Sequence, residues 1–480
     1  MLKAKPRISY AIGKENGMSR LEEFRALFYP KNIAVVGASK NPKKLGYHCL
    51  TSSVKGGFQG RIYPINPNLT QVYGFKAYPS VKAVPDKVDL AVIVVPNLLV
   101  PAIMKECAEK EVKGIVLITA GFKEAEDDLG AKLQNEVTTI ANESNMKVVG
   151  PNTFGMVNLH ADLNASFTPE FSMVKKGGIG LISQSGGFCH LVAPLSLKEG
   201  GGFGKIIGLG NRCNLDFPDM LEYLEEDPET KVIAMFIEGI DDARRLFEVA
   251  SRVAKKKPIV AYKAGRFQAR DEAARSHTGS LAGRYDLYMA AFKQAGVITV
   301  KSTEELLDAA KALSLCPPPK GNRVTVLSAQ AGLSMIASDV CEEKGLAMAV
   351  FTEKTIERIK ELLPPLSIRT NPVDMGPAWY DWDVCREVIQ VASTDENVDA
   401  LVVLAAYASA NAPLVQEIAE LLKALARQKP VLACFPSPRN IWLDEKRELE
   451  SAGVPVYPTP ERTSKALASV VEYAESLKVK

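Results

Sequence analysis

Short runs of β-branched and aliphatic residues recur along the chain from Asn32 onward, each followed by a segment whose apolar positions repeat every three or four residues. Such alternation of strand-length runs with helix-period segments is the signature of parallel α/β layers. The runs fall into three groups. The first holds Ile33–Val36, Arg61–Ile65, Leu90–Val95, Gly114–Thr119 and Lys147–Val149. The second holds Gly180–Ser183, Lys205–Leu209, Lys231–Ile237, Pro258–Lys263 and Gly296–Val300, and the third Arg323–Ser328, Leu346–Phe351, Ala400–Ala405, Pro430–Phe435 and Val454–Tyr457. Five strands per group predict three doubly wound domains, over residues 20–150, 151–316 and 321–480.

The linker CPPPKGN at Cys316–Asn322 marks the last boundary, because three prolines continue neither a helix nor a central strand. The junction near Gly150–Pro151 is softer, since the next strand is expected only from about Gly178. The second and third groups echo one another. LISQSGG (Leu181–Gly187) and VLSAQAGL (Val326–Leu333) each end a strand in a small-residue turn that starts a helix, which is compatible with an internal duplication.

Composition narrows the class without naming it. The 480 residues are 46% hydrophobic and 24% charged, those of an ordered globular protein. A net charge of +3 from 59 basic and 56 acidic residues gives no general case for nucleic acid or an anionic membrane, so any anion binding must be local. The most apolar region, Val88–Met104, is broken by Pro96, Asn97 and Pro101 and falls short of the roughly 20 unbroken residues of a membrane helix. The first residues carry no apolar stretch with a cleavage site, so a cytoplasmic location is expected. Eight cysteines without a CxxC pair argue for reduced, mostly buried thiols rather than a disulfide framework or a zinc site.

Three strand-to-helix turns are candidate anion cradles. At Gly37–Ser39 (Gly37, Ala38, Ser39) small residues let a phosphate approach the backbone beside Lys40, Lys43 and Lys44, although the full GxGxxG of a dinucleotide site is absent. The turns Ser183, Gln184, Ser185, Gly186, Gly187 and Ser328, Ala329, Gln330, Ala331, Gly332 combine free N–H groups with the positive end of the following helix. Two such turns in consecutive domains suggest a phosphate held from two sides or passed between sites. Solvated loops are the plain alternative for all three.

His277 sits in ARSHTGSLAG, inside a connection of about nineteen residues where α/β units use about two to six. Glu238 ends the strand KVIAMFI at the carboxyl edge where open α/β sheets gather ligands. A carboxylate there could hold one imidazole nitrogen and leave the other nucleophilic. The remaining histidines, His48, His160 and His190, form no HxxH or HExxH pattern, so no metal site is expected. Ser185, Asp241 and His277 run in the chain order of an α/β-hydrolase triad, but S-Q-S-G-G lacks the leading glycine of the nucleophile elbow. No GxxxxGK[ST] loop is present, so a nucleotide donor is expected on another polypeptide.

With these motifs in place, the chain resembles the α subunits of ADP-forming acetyl-CoA synthetases, in the NDP-forming acyl-CoA synthetase superfamily that includes succinyl-CoA synthetase. The resemblance runs through IAVVGAS, Gly46, RIYPINP, VDLAVIVVP, ITAGF and VGPN. It continues through LISQSGG, the pair Gly210–Asn211, FIEG, YKAGR and SHTGSLAG to SAQAGLSMIASD and NPVD. It implies an α/β fold with a Rossmann-like CoA-binding domain followed by two flavodoxin-like parallel-sheet domains. It also implies the reaction of an organic acid, ATP and CoA to acyl-CoA, ADP and phosphate. By resemblance His277 matches the transiently phosphorylated histidine and Glu238 the glutamate that orients it. The two later turns match helix N-termini that hold the phosphoryl group. Gly37, Ala38, Ser39, Lys44, Asn66 and Pro96 fall at the CoA site. ATP and Mg2+ are expected on a separate ATP-grasp β subunit, in a hetero-oligomer such as α2β2.

Two departures bear on the acid. Thr153 stands in VGPNTFG where relatives commonly have cysteine, and GNRCNLD differs from the more frequent GN-x-x-D. If that second segment lines the pocket, Asn211 and Arg212 contact the substrate, and Arg212 would favour an acid with a second anionic group, such as sulfoacetate, over acetate. A non-catalytic CoA-binding regulatory protein is the competing reading from another class.

Overall fold

The computed structural model describes residues 19–266 and 285–478. Three parallel sheets follow one another along the chain, built from strands Asn32–Val36, Arg61–Ile65, Leu90–Ile93, Gly114–Leu117 and Lys147–Val149; Lys176–Ser183, Phe203–Gly208, Val232–Ile237, Ile259–Lys263 and Ile298–Val300; and Arg323–Ser328, Ala347–Met348, Ala400–Leu404, Val431–Cys434 and Val456–Tyr457. Counted along the chain within each sheet, these five strands stand in the order 2-1-3-4-5 every time. That is the flavodoxin-like doubly wound order, whose switch point lies between the first and third strands. Buried strands of parallel sheets read as unbroken apolar runs, which is why most of the fifteen were visible in the apolar pattern; Ala347–Met348, on the edge of the third sheet, is the exposed exception.

The stretch between the first two groups was expected to hold no strand, and it holds two. Gly155–Asn158 and Leu163–Ser166 form an antiparallel hairpin on the outer edge of the second sheet, pairing with Phe203–Gly208. Their buried positions include Asn158, Asn164 and Ser166, which breaks the apolar run that marks a strand. Those polar groups are hydrogen-bonded: Asn158 donates to the Phe28 carbonyl, 130 residues earlier in the chain, at 2.9 Å, and the Ser166 hydroxyl donates to Asn164 at 2.6 Å. A short pair, Val373–Asp374, likewise extends the end of Arg323–Ser328.

The sheets share cores. Helix Leu45–Lys55 of the first unit packs on the hairpin strand Leu163–Ser166, and Phe24, Phe28 and Leu50 join one apolar cluster with Met156 and Leu221. Between the second and third sheets lie four helices, Gly186–Glu199 and Thr303–Leu315 from one side and Ala331–Glu343 and Pro460–Ser476 from the other. In each unit they are the helices after the first and fifth strands. A fork of ions ties the layer together: Arg462 holds Asp308 through two nitrogens at 2.7 and 2.8 Å, and the buried Lys311 reaches Glu450 at 2.9 Å.

Candidate active site

Every candidate cradle that the structure describes stands at a switch point. In the first sheet, Gly37 follows strand Asn32–Val36 with φ +92°, and a Cβ there would come within 2.4 Å of the Val94 carbonyl oxygen. Only glycine fits. Asn66, at the end of the neighbouring strand, donates to the Ala38 carbonyl at 2.8 Å and so fixes the turn. Ser39 accepts the Asn41 N–H at 3.1 Å. Lys44 is exposed at the N-cap of helix Leu45–Lys55, and Pro96 is exposed after the third strand. The turn Gly37–Ser39 and Asn66 are thus joined by hydrogen bonds, and Lys44 and Pro96 are exposed on the segments that follow the first and third strands.

The second switch point brings Ser183–Gly187 against Glu238. Ser183 ends the first strand in register with Phe236 on the third, two residues before Glu238. Its hydroxyl donates to the Ser185 carbonyl at 2.8 Å and accepts the Ser185 N–H at 3.2 Å, closing the turn on itself. Ser185 caps helix Gly186–Glu199 through the Phe188 N–H at 3.4 Å. The Gln184 side chain crosses the crevice, and its Oε1 accepts the N–H groups of both Glu238 and Gly239 at 3.0 Å.

The Glu238 carbonyl is held as well. Lys263, buried at the end of the fourth strand, donates to it at 2.9 Å and also donates to the Ala264 carbonyl, with its ammonium 4.9 Å from the Tyr288 ring centre. Lys263 was not singled out from the sequence. The available signal was a lysine closing an apolar strand at the functional edge, in YKAGR. His277 lies outside the described residues, together with its neighbours from 267 to 284.

The Gly210–Cys213 loop lies against residues 150–152 through hydrogen bonds from Asn211 and Cys213 to the Pro151 and Gly150 carbonyls at 2.9 and 3.0 Å. Asn211 also donates to Glu124 and, at 3.1 Å, to Gln134, so its amide is bound into the first unit. The Arg212 side chain is 1% exposed and donates to Asp216 at 3.1 Å, Asp241 at 2.9 Å and the Gly239 carbonyl at 3.3 Å. Two carboxylates therefore face its charge within the protein. Burial pushes the Asp216 carboxyl above its usual range, against the pull of Arg212. Asp241, spent on Arg212, is also lost to the hydrolase-like triad, whose Ser185 is engaged as a helix cap. Thr153 donates to the Gly208 carbonyl at 2.6 Å, a structural tie beneath the loop.

The third switch point repeats the wiring. The Ser328 hydroxyl donates to the Gln330 carbonyl at 2.8 Å and accepts the Gln330 N–H at 3.1 Å. Gln330, here the N-cap residue of helix Ala331–Glu343, reaches Ala406, and Gly332 is exposed with open space where a Cβ would stand.

The eight cysteines are free. Burial raises Cys189, below the second turn, to about 12, which leaves it a thiol at neutral pH. Among the described residues no group of three or more His, Cys, Asp or Glu is placed to hold a metal ion, and no helix is long and apolar enough to cross a membrane.

Comparison with known proteins agrees with this layout. Residues 31–158 match the family described as CoA binding domain, and residues 176–313 the succinyl-CoA ligase like flavodoxin domain. The chain is 41% identical over 456 residues to acetate–CoA ligase (ADP-forming) II subunit alpha of Pyrococcus furiosus, covering 94% of this chain and 98% of that one. It is also 41% identical to acetate–CoA ligase (ADP-forming) I of Archaeoglobus fulgidus over 94% of its own length, and it spans 63% of that longer chain. The solved structure of acetyl-coenzyme A synthetase 1 from Ca. Korarchaeum cryptofilum, in complex with phosphate and ADP, superposes with a TM-score of 0.88 at 37% identity, over 95% of this chain and 97% of that one.

Proposed function

The chain belongs to the ADP-forming acetate–CoA ligase family, and from that premise we propose that it is the acid- and CoA-handling subunit of an ADP-forming acyl-CoA ligase with a phosphohistidine at residue 277. The observation that carries this reading is the second switch point. There the backbone of Glu238 is clamped from two sides, through its N–H by Gln184 and through its carbonyl by Lys263, beside the turn that starts helix Gly186–Glu199. A helix N-terminus favours a phosphoryl group, and a carboxylate carried on a held backbone suits an imidazole partner.

The chemistry then runs as two substitutions at phosphorus and one at carbon. A His277 ring nitrogen takes the γ-phosphoryl group of ATP and releases ADP. The carboxylate oxygen of the acid takes the phosphoryl group from the imidazole and becomes an acyl phosphate. The CoA thiol, losing its proton, adds to the acyl carbon and expels phosphate. In this scheme Glu238 accepts the N–H of the other ring nitrogen, fixes the tautomer and stabilises the charged phosphoimidazole. The crevice of Gly37, Ala38, Ser39, Lys44, Asn66 and Pro96 takes the CoA pyrophosphate, with Lys44 as its cation. The backbone N–H groups at Gly186–Gly187 and Ala331–Gly332 take the phosphoryl group. ATP and Mg2+ belong to an ATP-grasp β subunit in a cytoplasmic α2β2-type assembly, consistent with the relative named as an α subunit. We assign the three domains to 20–150, 151–316 and 321–480. Acetate, or another small organic acid, is the substrate.

Incubating the chain and its nucleotide-binding partner with γ-labelled ATP is expected to label this chain. Label that persists in His277→Ala overturns the proposal.

A further inference from the structure

Two glutamines sit at the two later switch points and do the same first task in different company. Leu404 pairs with Ser328 as Phe236 pairs with Ser183, so Ala406 occupies in the third sheet the place of Glu238 in the second. Gln330 accepts the Ala406 N–H with Oε1 at 3.2 Å and turns its Nε2 back to the carbonyl of the same residue at 3.5 Å. Its amide is closed on one peptide unit. Gln184 accepts the Glu238 and Gly239 N–H groups in the equivalent way, and two N–H donors facing one amide atom identify that atom as the oxygen. Its Nε2, in a side chain 4% exposed, finds no acceptor among the described residues.

The Glu238 carbonyl accepts the Lys263 ammonium at 2.9 Å, and the Ala406 carbonyl accepts the Asn411 amide at 3.0 Å as well as that of Gln330. Continuing the register of the third sheet, the place of Lys263 falls to Phe435, a buried ring without a donor. The second turn leaves over an amide donor that the third does not. A buried amide donor without an acceptor costs about 1–3 kcal/mol, and such groups are retained mainly where something else completes them. The amide is anchored by its oxygen, and Gln184 directly precedes Ser185, the N-cap residue of helix Gly186–Glu199.

We propose that the Gln184 side-chain amide is a binding donor of the phosphoryl site, its Nε2 hydrogen-bonding an oxygen of the phosphate or acyl phosphate held at the Gly186 helix start. This rests on the phosphohistidine reading above and adds a side-chain contact to its backbone cradle.

The test runs the chemistry backward on the full chain, without nucleotide. Phosphate adds to the thioester carbon of acetyl-CoA, the CoA thiolate leaves and takes a proton, and His277 accepts the phosphoryl group as acetate departs. Radiolabelled inorganic phosphate thus marks the chain. Gln184→Glu keeps the acceptor for both N–H groups and replaces only the donor; Gln184→Leu removes both. In each variant the phosphate concentration for half-maximal labelling is expected to rise at least tenfold while that for acetyl-CoA stays within twofold, with Tm lowered only in Gln184→Leu. An unchanged phosphate dependence in either variant overturns the proposal alone. So does a parallel rise of both constants, which marks a general structural defect. No label in the unmodified chain, or label in His277→Ala, overturns the phosphohistidine reading and this proposal with it.

Discussion

The turns at Ser183–Gly187 and Ser328–Gly332 share a backbone plan and differ in what surrounds it. Both close through a serine hydroxyl on the carbonyl two residues ahead, at 2.8 Å in each. Both face the third strand of a 2-1-3-4-5 sheet. Around the first stand a carboxylate, a buried ammonium and an amide with a donor left over; around the second stand Ala406, Phe435 and a self-satisfied amide. The turn is thus a property of the topology, and what distinguishes the copies is three side chains added to one of them.

The sharpest way to break that comparison is at Glu238. Glu238→Gln keeps the shape but cannot stabilise a phosphoimidazole, and a fall in phosphoryl transfer of about 100- to 10,000-fold is expected by analogy with other acid–base groups. Ala406→Gly, at the corresponding place, is expected to stay within about twofold by the same steady-state assay. Activity surviving in Glu238→Gln would make the two copies equivalent.

The glycines come next. A Cβ on Gly187 would meet only the Ser185 hydroxyl at 3.7 Å, and one on Gly332 would meet nothing within 4 Å, so both alanine variants fold. Ala at 187 stands where the phosphoryl group must approach, and a rise of about tenfold in the half-saturating phosphate is expected, from roughly 1.4 kcal/mol of lost contact. The Gly332→Ala effect measures how closely the third-sheet turn approaches the same ligand, and a smaller rise is expected there.

Gln330→Glu turns an amide donor into an oxygen facing the Ala406 carbonyl. It is expected to lower stability by about 1–3 kcal/mol in urea unfolding, with the phosphate dependence unchanged. This is the reverse of the pattern expected for Gln184→Glu.

The smallest effect concerns Arg212. Its loss in Arg212→Met leaves Asp216 and Asp241 without their cation; with Asp241 half exposed, about 1–2 kcal/mol is expected. The folded Asp216 carboxyl already titrates above its usual value through burial, so its ionisation opposes folding as pH rises through that value. Removing the arginine raises it further, so the variant's deficit should shrink as pH falls through the raised Asp216 value, measured by Tm against pH. Acetate should remain as good a substrate as dicarboxylates or sulfoacetate in both proteins.

How much of this was legible in the sequence follows from what each residue does. The parallel strands were legible, because most are covered on both faces and therefore apolar. The hairpin Gly155–Ser166 was not, because Asn158, Asn164 and Ser166 fill buried positions through hydrogen bonds, Asn158 to the distant Phe28 carbonyl and Ser166 to Asn164. The three strand-to-helix turns were visible as small residues between a strand and a helix. The partners of Arg212 were not legible, because nothing in GNRCNLD reveals that Asp241, far along the chain, meets it. Gln184 was legible as a turn residue, but its amide contacts with Glu238 and Gly239, and the hold of Lys263 on the Glu238 carbonyl, depend on the register of neighbouring strands.

The central claim is a phosphoryl group on residue 277. The full chain, incubated with acetyl-CoA and inorganic phosphate, quenched in alkali and digested, is predicted to yield the peptide containing ARSHTGSLAG heavier by one phosphoryl group on His277. A phosphoryl group on any other residue, or an unmodified chain, would contradict it.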